Sequence, residues 1–395
     1  MKNSPLLTTY ASSKERITIA IEAGINQLIL EEPDFSIRSF LENNATIESL
    51  SNLVKHAVTL NPNIYLAYQC DKICHHKDLG IIKEKLIELA KLPIKTIRIQ
   101  DLGLISLIKE ITPDKHIQFL TETGNQNTES IRFLSEYTHG QTLTNELPYS
   151  ELNPITNINS KSKPHFEIQV QGPILIQYSY RRFMKGLKRN ANTKSEAIIK
   201  LAQDQEYTNR YYKFYDNQHG HFMYLYLHRC LLNSLPKLNK LNLKSWLIDA
   251  RGESNEYLNT AINAYKNGLN DPNVDYKNAI KQLEDDSNLL QKPGFFRANN
   301  TDKDLSNKNL TDGKSKDQQA IVGKVLDSNK GICFTIEPLT TLKEGDKLTI
   351  KTPQGKKIQT TITTMTSINN QTITEAVPYQ LIKLPWKNTL HLRVT

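Results

Sequence analysis

Apolar and polar positions along the first 270 residues follow two alternating periods. Short apolar or β-branched runs at Gln27 to Leu30, Ile64 to Tyr68, Thr96 to Ile99, Ile117 to Leu120 and Lys244 to Ile248 predict strands. Between them the spacing lengthens. Ile17, Ala20, Ile21 and Gly24 share one helical face, and so do Leu79, Ile82, Leu86 and Leu89. Leu258, Ala261, Ile262, Tyr265 and Leu269 make a similar stripe after the Lys244 strand. Ser12 with Glu15 fits a capping box, each side chain satisfying a backbone donor at a helix start. Repeated βα units predict a parallel sheet with helices over it. The order of elements fits both a closed barrel and an open doubly wound sheet.

From residue 271 to 319 this pattern fails. Pro272, Pro293, Gly294, Gly313 and many Asn, Asp, Ser and Lys residues predict an irregular connection. From 320 to 395 the chain becomes a run of short strands. Ile321 to Leu326, Ile332 to Ile336, Lys347 to Lys351 and Ile358 to Thr363 are separated in part by turns at Glu344-Gly345-Asp346 and Pro353-Gln354-Gly355. Such a run predicts a small C-terminal β-barrel. The expected parse is a βα domain over 1–270, a connection over 271–319 and a β-domain over 320–395.

Composition changes this picture little. Hydrophobic residues make up 38% and charged residues 23%, a soluble globular balance. Neither a secretory leader nor a membrane-spanning apolar run is visible, so no membrane partner is expected. Four cysteines, at 70, 74, 230 and 333, are too scattered for a disulfide framework, which points to a reducing cytoplasm. The net charge of +9, from 50 basic and 41 acidic residues, suits an anionic partner such as RNA. An AT-rich coding bias toward Lys, Asn and Ile gives the same excess.

Several stretches, in order, resemble peptidase family U32. They include Phe35-Ser36-Ile37-Arg38, Asp101-Leu102-Gly103-Leu104, and the run from Thr121 to Phe133 with its Thr121, Asn127 and Arg132. Glu146-Leu147 resembles an Arg-Glu-Leu-Ser element, with Asn145 at the arginine position. His219-Gly220, Arg229-Cys230-Leu231, Leu235-Pro236-Lys237-Leu238 and Asp249-Ala250-Arg251-x-x-Ser254 follow at family spacing. The resemblance implies a TIM-type (β/α) barrel with its site at the C-terminal ends of the strands, followed by a small β-barrel. It also implies either RNA hydroxylation, on tRNA or rRNA and with a small carboxylate such as prephenate, or a collagenase-like peptidase activity. A third possibility is a non-catalytic binding protein on a degenerate site. The resemblance also implies that several of the family's hydroxylation-type members carry a four-iron cluster on four cysteines. Here the family's Ser-x-Arg-Cys motif stands as Ser179-Tyr180-Arg181-Arg182, no cysteine follows through Arg210, and only Cys230 remains of the ligands. One thiolate does not hold four irons, so no cofactor is expected.

The residues themselves offer several candidate sites, each with a plainer structural role beside it. Cys70-x-x-x-Cys74-His75-His76 holds metal-type donors, but seven adjacent residues rarely close a tetrahedron. His219 and His221, on an extended segment, would share a face and suit acid–base work, or else flank a structural turn at Gly220. Asp249 and Arg251 lie just past a strand end. There the arginine fork can grip an anion, or the two can form an internal ion pair at the rim. Ser254 opens the next helix as an N-cap. Arg181, Arg182, Lys185, Lys188 and Arg189 beside Tyr178, Tyr180 and Phe183 suit nucleic acid, or form a solvated face. The expected catalytic set is Asp249, His219 and Glu146. The expected ligand-binding set is Arg251, Arg181, Tyr178, Thr121 and Arg38.

Overall fold

The computed structural model describes residues 4–41, 49–121, 127–158, 164–184, 198–203, 211–271, 275–297, 322–329, 332–351 and 357–385. Its first compact unit comprises Met1–Arg181 and Gln218–Thr301. In chain order this unit contains β1 (Leu6–Tyr10), α1 (Lys14–Ala23), β2 (Gln27–Glu31), α2 (Leu50–Leu60), β3 (Tyr65–Cys70) and α3 (Leu79–Ala90). There follow β4 (Thr96–Ile99), α4 (Gly103–Ile111), β5 (His116–Leu120), α5 (Thr128–Ser135), β6 (Gly140–Thr142), α6 (Tyr149–Thr156) and β7 (His165–Ser179). Each of these strands pairs in parallel with the next.

The sequence left open whether this sheet closes, and it does. Ser245–Ile248 pairs in parallel with both β7 and β1, which completes an eight-stranded barrel. Alternation along the strands explains the layering, because successive side chains point to opposite faces. Ile97 and Ile99 of β4 face outward into the apolar layer beneath the helices, as do Phe166, Ile168 and Val170 of β7. The inward residues are largely polar, Arg98 and Glu167 among them, beside a small apolar cluster of Tyr10, Ile29, Ala67 and Leu247.

β7 continues beyond the barrel wall. From Gly172 onward it pairs antiparallel with Gly220–Cys230, matching Gly172 with Arg229 and Tyr178 with Phe222. Gly172 has φ +115°, and a Cβ there would lie 2.0 Å from the Asp249 carbonyl oxygen, so only glycine lets the strand pass. The chain then runs through a short helix at Leu235–Leu238 and the closing strand to a helix at Asn255–Asn270. Ser254 caps that helix, accepting from the Tyr257 amide at 3.1 Å.

Two details differ from the sequence-based expectation. The cap of α1 is Ser13, accepting from the Arg16 amide at 3.2 Å, one residue later than the Ser12 pattern indicates. The stretch expected to be irregular from 271 carries a helix at Lys277–Ser287, because Tyr276, Leu283 and Phe296 reach the barrel's apolar layer. His219 lies in a turn at Gly220, whose φ is +130°, the structural alternative of the sequence reading. The rest of the expected connection, 272–274 and 298–319, lies outside the described residues, as does the turn at 353–355.

The second compact unit comprises Arg182–Asn217 and Asp302–Thr395. It contains an antiparallel hairpin of Ile198–Gln203 with Tyr211–Asn217 and a five-stranded antiparallel sheet that includes Gly323–Asn329, Cys333–Pro338 and Ile382–Pro385. Phe334, Ile336, Met365, Ile382 and Leu384 form part of its core, consistent with the expected small β-domain. Among the described residues, no helix is long and apolar enough to cross a membrane.

Candidate functional site at the barrel mouth

All eight barrel strands end on one face, and the polar groups gather there. Asp249 follows the closing strand directly, and Arg251 folds back on it. Arg251 Nε donates to Asp249 Oδ1 at 2.9 Å and Nη2 to Oδ2 at 2.7 Å, a bidentate pair. Its Nη1 donates to Glu31 Oε2 at 3.0 Å, an oxygen that also accepts from Ser36 at 2.8 Å. The guanidinium carbon sits 3.6 Å from the centre of the Tyr10 ring. Burial pushes the Asp249 carboxyl up, but Arg251 and Arg38 more than reverse this and hold it below its ordinary value. Burial raises Glu31, against the pull of Arg251.

A second network lies deeper. Arg98 pairs with Glu167 across the interior and donates through Nε to Gln69 at 2.9 Å. Gln69 passes the chain to Asp71 at 2.9 Å, and Arg38 approaches Asp71 at 3.8 Å. Thr142 and Ser245 add hydroxyl donors to Glu167 at 2.9 and 3.0 Å.

Over these networks opens a narrow pocket lined by Tyr10, Arg38, Arg98, Thr121, Asn145 and Asp249, among others. Thr121 Oγ1 is buried there with no hydrogen-bond partner among the described residues. Beside the pocket, on the far side of the Ile37–Arg38 step, runs a wider groove lined by Phe35, Lys72, Ile81, Tyr178, Tyr180 and His219. His219 Nε2 lies 2.6 Å from the Pro33 carbonyl, and burial lowers its pKa.

The pocket therefore gathers Asp249, Thr121 and Arg38 from the expected set. Tyr178 and His219 line the groove instead. Glu146 and Arg181 are exposed and line neither cavity. Arg251 lies behind the pocket with three of its nitrogens already donating to carboxylates, the internal-pair alternative of the sequence reading. Lys185, Lys188 and Arg189 lie outside the described residues. Sequence reasoning did not single out Glu31, Asp71, Arg98 or Glu167. Charged residues inside or just past short apolar strands were the available signal.

The metal candidates come apart. Cys70 is buried at the end of β3, whereas His75 and His76 are exposed, with His75 packing edge-on against Tyr180 at 4.9 Å. Among the described residues no set of three or more His, Cys, Asp or Glu side chains could hold a metal ion. Nor do the residues present fit an iron–sulfur cluster. Burial pushes the Cys230 thiol up to about 11, disfavouring the thiolate that ligation needs. At the motif's cysteine position, Arg182 lies 3.6 Å from Asp216, whose other oxygen accepts from the Met184 amide at 2.9 Å.

Comparison with known proteins gives a consistent result along nearly the whole chain. Residues 12–306 match Peptidase family U32, and 317–391 match the Peptidase family U32 C-terminal domain. The chain is 20% identical over 400 residues to "tRNA hydroxylation protein P1" of Bacillus subtilis (strain 168), covering 96% of this chain and 91% of that one. It is 21% identical over 405 residues to "tRNA hydroxylation protein P" of Escherichia coli (strain K12), covering 89% and 87%. Among solved structures, tryptophan synthase from M. tuberculosis aligns with a TM-score of 0.40 at 8% identity, over 68% of this chain and 93% of that one.

Proposed function

The chain belongs to peptidase family U32, and from that premise we propose that it acts in tRNA modification, with a tRNA nucleotide presented to the barrel-mouth pocket. The carrying observation is likeness over almost the full length of two tRNA hydroxylation proteins. The position of the pocket supports it, since barrel enzymes place their reactive groups at the C-terminal ends of the strands. Asp249 is the ionised carboxylate in that pocket, and Thr121 offers a hydroxyl with no hydrogen-bond partner among the described residues. The neighbouring groove carries Tyr178 and Tyr180, rings on which an unpaired base can stack. A small carboxylate is the proposed co-ligand, held near Arg38.

Nucleoside mass spectrometry of tRNA from a strain lacking this chain tests the proposal. One hydroxylated nucleoside should vanish, return with the wild-type chain, and stay absent with Thr121→Val or Asp249→Asn. Thr121→Val is the gentler variant, because Asp249 also anchors Arg251. An unchanged nucleoside profile in the deletion strain would overturn the proposal.

A non-catalytic role on the same barrel draws support from Arg182, which replaces a cluster ligand with an ion-pairing group. It predicts tRNA binding by the purified chain with no nucleoside lost on deletion.

A further inference from the structure

The groove beside the barrel-mouth pocket has a volume of about 390 Å³, within the range of small-ligand sites. The end of β7 brings Tyr178 and Tyr180 to it, while the segment after β3 brings Ile73 and Lys77, and α3 brings Ile81. Tyr178 is fixed in place. Its hydroxyl donates to the His219 carbonyl at 2.8 Å, and its ring leans on Phe222 with centres 4.9 Å apart. Tyr180 is braced by His75 and still 52% exposed. Ile73 and Ile81 are 46% and 60% exposed. One exposed isoleucine alone would mean little, but two in one groove with two tyrosines form an apolar lining open to a ligand.

The polar part of the lining selects the occupant. Aromatic and aliphatic surfaces suit a flat ring of any base identity. The exposed amide of Gln218 carries both donors and an acceptor for a base edge, and exposed Asp34 can accept from a base's amino group. Lys72 is held by Asp78 at 3.2 Å, whereas Lys77 is exposed in the lining and offers its ammonium to a phosphate. Ring, hydrogen-bonding edge and anionic link together describe a nucleotide. The groove also adjoins the pocket at a single backbone step, because Ile37 lines the groove and Arg38 lines the pocket. Its histidine is engaged with the protein, Nε2 lying 2.6 Å from the Pro33 carbonyl, so the groove is arranged to bind rather than to react.

We propose that this groove is a subsite for the nucleotide next to the one presented to the pocket, its base stacked on Tyr180 beside Ile73 and Ile81 and its phosphate at Lys77. The subsite rests on the tRNA reading and deepens it, since it makes the neighbouring nucleotide part of what is recognised.

The full chain is titrated, by fluorescence anisotropy at low salt, with a labelled cytidine heptamer and with the same ribose-phosphate strand lacking bases. Tyr180→Ala should weaken binding of the heptamer about 5- to 100-fold, the loss expected for one stacked base, and leave the base-free strand within about twofold. Tyr180→Phe keeps the ring and should bind as the wild type does. Phe133→Ala removes an exposed ring elsewhere, on α5, and should also bind as the wild type. Lys77→Ala should lower the slope of log affinity against log salt by about 0.7, one phosphate contact on a single strand. Tm confirms that each variant is folded, since every substituted side chain is exposed. Three outcomes overturn the proposal: a wild type that binds no heptamer, heptamer binding unchanged in Tyr180→Ala, or equal weakening of the base-free strand. A tetrapeptide of phenylalanine and glycine that needs Tyr180 while RNA does not would give the groove to a peptide and overturn it too. The deletion-strain nucleoside profile is a separate readout. An unchanged profile beside Tyr180-dependent base binding strikes the modification reading and keeps the groove as a nucleotide site. A lost nucleoside beside base-independent binding strikes the groove alone.

Discussion

Arg98 and Glu167 meet inside the barrel, Nη2 to Oε1 at 2.7 Å, with neither side chain reaching solvent. They come from β4 and β7, which are not neighbours in the wall, so the pair ties the interior across its width. Glu167→Gln keeps the shape but leaves Arg98 charged and unmatched. Breaking a buried pair in this way should destabilise the barrel by about 3–5 kcal/mol. Urea unfolding measures it, and a loss under 1 kcal/mol would mean the interior admits enough water to screen the charge.

Arg251→Lys separates a structural arginine from a ligand-binding one. Lysine keeps the charge but cannot span Asp249 and Glu31 with a planar fork. A loss of about 1.5–3 kcal/mol in stability is expected. Affinity for tRNA, measured on folded protein, should stay within about twofold, because Arg251 has three nitrogens committed internally. A large fall in affinity with unchanged Tm would place Arg251 in contact with ligand.

The opposite end of the barrel should respond to pH. His116 and His139 stack with ring centres 4.5 Å apart. Burial lowers the pKa of His139, and positive neighbours including His116 and Lys109 add to this; burial and Lys244 lower His165. A histidine whose folded pKa lies below its unfolded value takes up protons more readily when unfolded. Stability from these residues is therefore full above about pH 6.5, the unfolded value, and falls as the pH drops through it. Thermal melts from pH 8 to 5 should show this decline, and His139→Gln should flatten it. An identical pH profile in that variant would point instead to carboxylates.

Metal content checks the cysteine substitutions. Protein purified without oxygen should be colourless and hold no stoichiometric iron or labile sulfide. Burial pushes the thiols of Cys74 and Cys230 up to about 11 and raises Cys70 further. A disulfide reagent at pH 8 should therefore modify them slowly in native protein and fully in urea. About four irons per chain, or rapid native modification of Cys230, would contradict this.

The sequence by itself determined the βα order and most of the strands, because runs such as Thr96–Ile99 and Ser245–Ile248 carry their outward apolar residues locally. It also determined the switch to short strands after 320 and the absence of cysteine from Arg182 to Arg210, which are facts of the chain. It carried an alternation in β7 that could have been read. Phe166, Ile168 and Val170 interleave with Glu167, Gln169 and Gln171, a pattern inverted from the usual because the polar side faces the barrel interior. Tertiary structure alone decided closure, which depends on Ser245–Ile248 meeting both β1 and β7 across long stretches of chain. It alone decided whether a given charge is a ligand or a strut. Arg251, Arg98 and Arg229 look alike in sequence, each a basic residue at or near a strand. One faces two carboxylates, one faces Glu167, and one faces none among the described residues. That difference is set by what other strands bring to within 3 Å, which no local spacing encodes.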